Sequence, residues 1–307
     1  MRLGRYPTPV ERAAENLWIK RDDRVAEPYG GNKVRKLERF LDEAAAEGKT
    51  RLLTLGAAGS HQVLATAVYG RARGLEVEAV LVAQPKTSHA VTNLRIALGH
   101  GLVAHAAPAW AVAPAIVAAR RAAGGRSTYF IPLGGSNVTG SLGFVDAARE
   151  LATQIREGVL PEPDELVVAL GSGGTAAGLA AGLAEEGLRT TVVGVAISHP
   201  ARLLSVMAHR LARELTKKRF HLDVDRAWVG RGYGYFTRDS QEAIAEGMAL
   251  GIELDPTYTA KAFAAALARA RAGKRVLFWH TLSTWPLASL EEGAPDELPP
   301  KLARLLR

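Results

Sequence analysis

Short apolar runs alternate with Ala- and Leu-rich helical stretches through most of the chain, and this alternation restricts the fold more than any other feature. "RLLTLGA" (51–57) precedes "HQVLATAVYGRARG", "EVEAVLVA" (76–83) precedes "SHAVTNLRIALGHG", and "LVAHAA" (102–107) precedes "AVAPAIVAARRAAGG". "STYFIPLGG" (127–135) leads into a helix running to about 157. "ELVVALGSGG" (165–174) reads as a strand entering a glycine-rich turn, and "TTVVGVAI" (190–197) and "KRVLFWHT" (274–281) read as further strands. Strand and helix in alternation imply an α/β protein with mostly parallel sheets. No repeat of fixed period is present, and "LPEPDEL" (160–166) is short enough to be a loop.

Composition narrows the function classes. The chain has 307 residues, 48% of them hydrophobic, which suffices for two domains or one large one. It has no cysteine, which excludes disulfides, thiolate nucleophiles and Cys-based zinc sites. No stretch has the uninterrupted apolar length of a membrane span, and "MRLGRYPTPVERAAENLW" lacks the apolar core of a signal peptide. The expectation is a soluble, cytoplasmic protein with no membrane partner. Formal net charge is +8, but the arginines are scattered through "RARG", "ARRAAGGR" and "TKKRF" without interleaved aromatics. A solvated basic surface or an anionic ligand accounts for the charge, and no nucleic-acid partner is expected.

Three helix starts could receive an anion. In "LVVALGSGGTAAGLAAGL", residues Gly171, Ser172, Gly173, Gly174 and Thr175 lie between a buried strand and an Ala-rich helix. Glycines let backbone amides approach a phosphate closely; the competing reading is a tight turn with no ligand. No Gly-Lys-Ser/Thr follows, so this is not a P-loop, and no metal is expected. In "LGAAGSHQVLATA", Ser60 can cap a helix whose first amides, those of His61 and Gln62, could meet a substrate carboxylate. An ordinary serine cap explains the same residues. In "GGNKVRKLER", Asn32 can cap a helix that carries Lys33, Arg35 and Lys36 in its first turns. Cations at that end are disfavoured by about 0.5 kcal/mol each. A lysine there is more readily neutral, hence nucleophilic, and its neighbours can help bind phosphate. An activated lysine beside a metal-free phosphate cradle suggests pyridoxal 5'-phosphate as cofactor.

"GGNKVRKLER" closely resembles the Gly-Gly-Asn-Lys-x-Arg-Lys-Leu-Glu segment of the 1-aminocyclopropane-1-carboxylate deaminase and D-cysteine desulfhydrase family. "KRDD" (20–23), "IPLGGSNVTGSLGFV" (131–145), "GSGGTAAGL" (171–179), "GYG" (232–234), "LDPTYTAKAF" (254–263) and "VLFWHT" (276–281) keep the family's order, so the resemblance spans nearly the whole chain. It implies the fold type II of pyridoxal-phosphate enzymes, which is tryptophan synthase β-like, with two open twisted mostly parallel sheets flanked by helices. The implied division is a large cofactor-binding domain (1–36 and 149–307) and a small domain (37–148), with the active site between them and a homodimer as the assembly. Lys33 is implied as the Schiff-base lysine, Lys36 as a phosphate contact, Ser60 as the residue that contacts the carboxylate or relays a proton, and Tyr258 as the active-site tyrosine. Thr281 takes the position facing the pyridine nitrogen.

The chain departs from the family in three places. His61 stands where members carry an Asn that contacts the cofactor's phenolic oxygen. His280-Thr281-Leu282-Ser283 replaces His-Thr-Gly-Gly. The deaminase's second catalytic tyrosine falls at Phe278 or Trp279, which argues against cyclopropane ring opening. The expected activity is therefore β-elimination from D-cysteine or a related β-substituted alanine, giving a 2-oxo acid and ammonia. The alternatives are a 1-aminocyclopropane-1-carboxylate deaminase-like enzyme, an amino-acid racemase, or a cofactor-binding protein that has lost catalysis.

Overall fold

The computed structural model describes residues 2–306. Its strands are β1 (Val10–Ala14), β2 (Leu17–Lys20), β3 (Arg51–Ala57), β4 (Glu76–Val82), β5 (Val103–Ala107), β6 (Thr128–Ile131), β7 (Glu165–Leu170), β8 (Thr191–Ala196), β9 (Leu222–Asp225) and β10 (Val276–Trp279). The main helices are α1 (Lys33–Ala46), α2 (His61–Ala72), α3 (Ser88–Gly99), α4 (Ala113–Gly124), α5 (Val138–Arg156), α6 (Gly174–Glu185), α7 (Ala201–Leu215), α8 (Arg238–Ala249) and α9 (Thr259–Arg271). They bear out the α/β reading. Two sheets form, a six-stranded one in the order β1-β2-β10-β7-β8-β9 and a four-stranded one in the order β5-β4-β3-β6. Among the described residues only the β1–β2 pairing is antiparallel. Among the described residues no helix is long and apolar enough to cross a membrane.

The chain divides into two compact units, one of residues 37–135 and 286–307, the other of 2–36 and 136–285. These borders differ from the expected ones in two respects. The second falls at 135/136 rather than 148/149, because α5 belongs with α6. A Cβ on Gly178 would lie 2.4 Å from the Ser141 carbonyl oxygen, and one on Gly182 would lie 2.5 Å from Ala148 Cβ. Small residues thus let these two helices pack backbone to backbone. The C-terminal segment groups with 37–135, where Gln84 donates its amide to Leu305 O at 2.9 Å and bridges Leu306.

The larger unit positions most of the predicted site residues. β7 is an apolar run buried along almost its whole length, as a strand inside a parallel sheet requires. Its neighbour β10 is wholly buried and pairs in register from Val276↔Glu165 to Phe278↔Val167. The carboxyl ends of these adjacent parallel strands release the 171–175 turn and His280-Thr281 side by side. Crevices at such strand ends are where open α/β sheets bind ligands.

Candidate active site

α1 begins at Lys33, as its sequence implies, and Gly30 and Gly31 allow it to begin there. Gly31 has φ +78°, and a Cβ on it would lie 2.6 Å from the Thr281 carbonyl oxygen. A Cβ on Gly30 would lie 2.3 Å from the Asp23 carbonyl oxygen. The backbone of Asn32 donates to that Thr281 oxygen at 3.1 Å, which ties the start of α1 to the exit of β10. Asn32 does not spend its side chain on capping; its amide nitrogen donates to Thr175 Oγ1 at 3.2 Å.

The three cations of this helix start have different surroundings. Arg35 is buried and doubly paired. Its Nη2 and Nε donate to the two Asp22 oxygens at 2.8 Å each, and its Nη1 donates to Glu150 at 3.0 Å. Lys36 is equally buried, and its ammonium donates to a hydroxyl, Ser136 Oγ at 3.2 Å. Burial, and then the charge of Lys33, hold its pKa well below the usual lysine range. Lys33 is half-buried, and among the described residues its ammonium has no hydrogen-bond or ion-pair partner; desolvation lowers its pKa to about 8. The expectation of a readily neutral lysine therefore holds, with burial as the leading cause.

The glycine turn converges on Lys36. Ser136 Oγ accepts from Lys36 and from the Gly174 amide (3.1 Å), and it lies 2.7 Å from Ser172 Oγ. Gly173 precedes α6 in the left-handed region, at φ +89°, which suits glycine alone. A Cβ on Gly174 would sit 2.5 Å from Ser136 Oγ and 2.9 Å from Lys36 Nζ, so only glycine leaves the recess open. The cluster is rich in donors at the amino end of a helix, and an anion with several oxygens satisfies it. Among the described residues no cluster of His, Asp or Glu could hold a metal.

Tyr258 stands just before α9 beside the same turn; a Cβ on Gly171 would lie 3.5 Å from its ring. Its hydroxyl donates to Tyr233 OH at 3.0 Å, with the rings edge to face. Burial raises both phenols above their ordinary pKa, Tyr258 the more strongly, so both are protonated near neutrality. Phe278 and Trp279 are wholly buried, and Trp279 Nε1 donates to Asp22 at 2.7 Å. Tyr233 thus sets a second phenol beside Tyr258, at a place other than Phe278 and Trp279. Ser283, the departure that follows Thr281, accepts from the Gly30 amide at 2.8 Å and so braces the start of α1.

The smaller unit holds the remaining predicted residues. Ser60 caps α2, and its Oγ accepts from the Gln62 amide at 3.2 Å, so that amide is engaged within the turn. The Gln62 side chain donates to Thr66 Oγ1 at 3.0 Å, back along its own helix. The turn before Ser60 is held at both ends. Gln84 Oε1 accepts from the Gly59 amide at 2.9 Å, and Asn93 donates to the Gly59 carbonyl at 3.0 Å. His61 faces His89, Nε2 to Nε2, at 2.9 Å. Sequence reasoning missed Ser136, Tyr233 and His89. Ser136 and Tyr233 lie inside the quoted "IPLGGSNVTG" and "GYG" segments, and no signal set His89 apart.

Similarity to known proteins shows the family. The family model described as pyridoxal-phosphate dependent enzyme matches residues 1–281. A Thermotoga maritima protein provisionally named a 1-aminocyclopropane-1-carboxylate deaminase is 34% identical over 300 residues, covering 91% of this chain and 94% of its own. A Klebsiella pneumoniae D-cysteine desulfhydrase is 35% identical over 284 residues, 84% of each chain. A crystal structure described as an ACC deaminase homologue superposes with a TM-score of 0.79 at 30% identity, covering 99% of this chain and 95% of its own.

Proposed function

This chain belongs to the family of pyridoxal-phosphate-dependent enzymes, and we propose that within it the protein is a lyase removing a β-substituent from a small amino acid. D-cysteine or a related β-substituted D-alanine is the proposed substrate, and a 2-oxo acid and ammonia are the products. The observation that carries the reading is the donor cluster of Lys36, Ser136, Ser172 and the Gly174 amide, with a lysine of lowered pKa three residues from Lys36. The cluster suits the cofactor's phosphate: its donors outnumber its acceptors, and the Gly174 recess would be filled by any side chain. When bound, the cofactor withdraws electrons from the substrate α-carbon.

The protein's own groups then have distinct tasks. Lys33 Nζ takes the α-proton, which its lowered pKa permits near neutrality. The electron pair of that C–H bond becomes the α–β double bond as the substituent leaves with its own pair, and the released enamine tautomerises to an imine that water hydrolyses to the 2-oxo acid and ammonia. The Tyr258–Tyr233 pair, protonated at this pH, donates to the departing group. Ser60, His61 and Gln62 are assigned to the substrate carboxylate and its orientation. Gly171 to Thr175 and Lys36 are assigned to the phosphate. Thr281 is assigned to the ring nitrogen; a neutral hydroxyl does not hold a proton there as a carboxylate would, which favours elimination over transamination. The enzyme is further proposed to be a cytoplasmic homodimer without nucleic-acid or membrane partners.

The test is 2-oxo acid release from D-cysteine, β-chloro-D-alanine and their L-forms. Turnover of at least one D-form is expected, and no release from any of the four overturns the reading. The paired phenols support a second reading, deamination of 1-aminocyclopropane-1-carboxylate, because ring opening also needs a proton donor near a carbon. Release of 2-oxobutanoate from that compound, with none from the D-amino acids, would select it.

A further inference from the structure

The first turn of α9 contains a buried lysine that the proposed chemistry does not use. Lys261 has no exposed surface and lies on a helix whose neighbouring residues, Thr259 to Leu267, are buried and mostly alanine. Among the described residues no carboxylate is hydrogen-bonded or ion-paired to it. Asp255, the nearest candidate, uses Oδ1 on the Thr257 and Tyr258 amides (2.9 and 2.7 Å) and Oδ2 on the Thr259 amide and hydroxyl (3.0 and 2.7 Å). The Lys261 ammonium instead donates to two backbone carbonyls, Val229 O at 2.8 Å and Gly232 O at 2.9 Å. Burial lowers its pKa, and the field of Asp255 opposes that shift. A methionine would fill similar room without the desolvation penalty, so the charge has to be explained by what it holds.

What it holds is the loop that carries Tyr233. Between β9 and α8 the chain has no regular structure, and two glycines in the left-handed region, Gly230 (φ +57°) and Gly232 (φ +108°), turn its carbonyls inward. Gly232 N–H closes the turn onto Val229 O at 3.1 Å. Val229 is buried against Ala196 and Ala201, and Tyr233 follows directly. One helix start therefore aims both phenols: Tyr258 through the Asp255 cap, and Tyr233 through the Lys261 ammonium three residues further on.

We propose that Lys261 is a positioning residue, whose ammonium fixes the 229–232 turn so that Tyr233 OH stays against Tyr258 OH. This rests on the reading of the tyrosine pair as the proton donor of the lyase. Holoenzyme carrying Lys261→Met, Tyr233→Phe or both tests it. Lys261→Met should lower kcat about tenfold with KM little changed. Added to Tyr233→Phe it should lower kcat by less than about twofold further, because the residue it serves is already gone. Labelling with [ζ-13C]tyrosine gives a readout independent of turnover: the resonance missing in Tyr233→Phe should shift in Lys261→Met. Additive kcat losses, an unshifted Tyr233 resonance, or a loss of cofactor affinity matching the loss of kcat would each overturn the proposal. If the wild type turns over no candidate amino acid, the lyase reading fails and the tyrosine resonance alone decides the role of Lys261. Lys261→Gln keeps one donor and should give an intermediate shift. If neither variant folds, the ammonium serves the fold as a whole and the positioning role is refuted.

Discussion

Two clusters of buried cations flank the same helical turn, and they are built on opposite principles. Lys20 and Arg35 are surrounded by Asp22 and Glu150, with Gln154 accepting from Lys20 at 2.6 Å; the charge is balanced within the protein. Lys33 and Lys36 differ: among the described residues Lys33 has no ion-pair partner, while Lys36 donates to the Ser136 hydroxyl and lies in the field of Lys33. A buried cation with a matched carboxylate braces structure. A cation that donates to a neutral hydroxyl, beside a second cation and a helix start, suits an anion. In the crowded motif "NKVRK", Arg35 anchors the turn through Asp22 and Glu150, and the two lysines carry the proposed cofactor roles.

The sharpest way to break this comparison is Lys33→Ala. It should abolish turnover, by at least about a thousandfold or about 4 kcal/mol in barrier, while the melting temperature stays within a few degrees of wild type. Borohydride reduction followed by peptide mapping should place the label on Lys33. A label on Lys36 would reverse the assignment of the two lysines.

On the balanced side, Glu150→Gln leaves Lys20 and Arg35 short of a carboxylate. Denaturant unfolding should show a loss of about 3 kcal/mol, with the affinity for cofactor reduced far less. A pH series sharpens the point. Arg35 and Lys20 overcome the effect of burial and lower the Glu150 pKa from 4.5 to about 2. A depressed carboxylate contributes stability that is fully present above 4.5 and is lost as pH falls toward 2. Wild type should weaken through that window, and Glu150→Gln should have the flatter profile.

Smaller effects belong to the glycine turn. Gly173→Val forces a branched side chain into φ +89° and toward Ala208, whose Cβ already lies 3.1 Å from the added carbon. It should weaken cofactor binding by about 2 kcal/mol. Ser172→Ala removes a single hydroxyl and should weaken binding by about 1 kcal/mol. Equal affinities for wild type and Gly173→Val in a spectroscopic titration would contradict the assignment of this turn to the phosphate.

How much of this is legible in the sequence depends on the range of the interactions. β3, β4 and β7 stand out because each is a mostly apolar, mostly buried run. β1 does not, because it is an edge strand with mostly exposed residues, and β9 is four residues long and half charged. At the site, Lys33 and the glycine turn are local signals, readable from a helix start and a strand end. Ser136 and Tyr233 matter only because they meet Ser172 and Tyr258, 36 and 25 residues away, and no local pattern encodes such a meeting. β10, where the resemblance places a second tyrosine, has the wholly buried Phe278 and Trp279 instead.

The unbalanced lysine pair also links folding to supply. The charge of Lys33 lowers the Lys36 pKa, and on the proposed assignment a phosphate bound at Lys36 would relieve that repulsion in the folded state and not in the unfolded one. Mass action then makes stability a function of ligand concentration, with about 2.7 kcal/mol gained at a hundredfold excess over Kd. A cell short of the cofactor would hold this enzyme in a less stable form, more exposed to proteolysis, so its abundance would follow vitamin status even at constant synthesis.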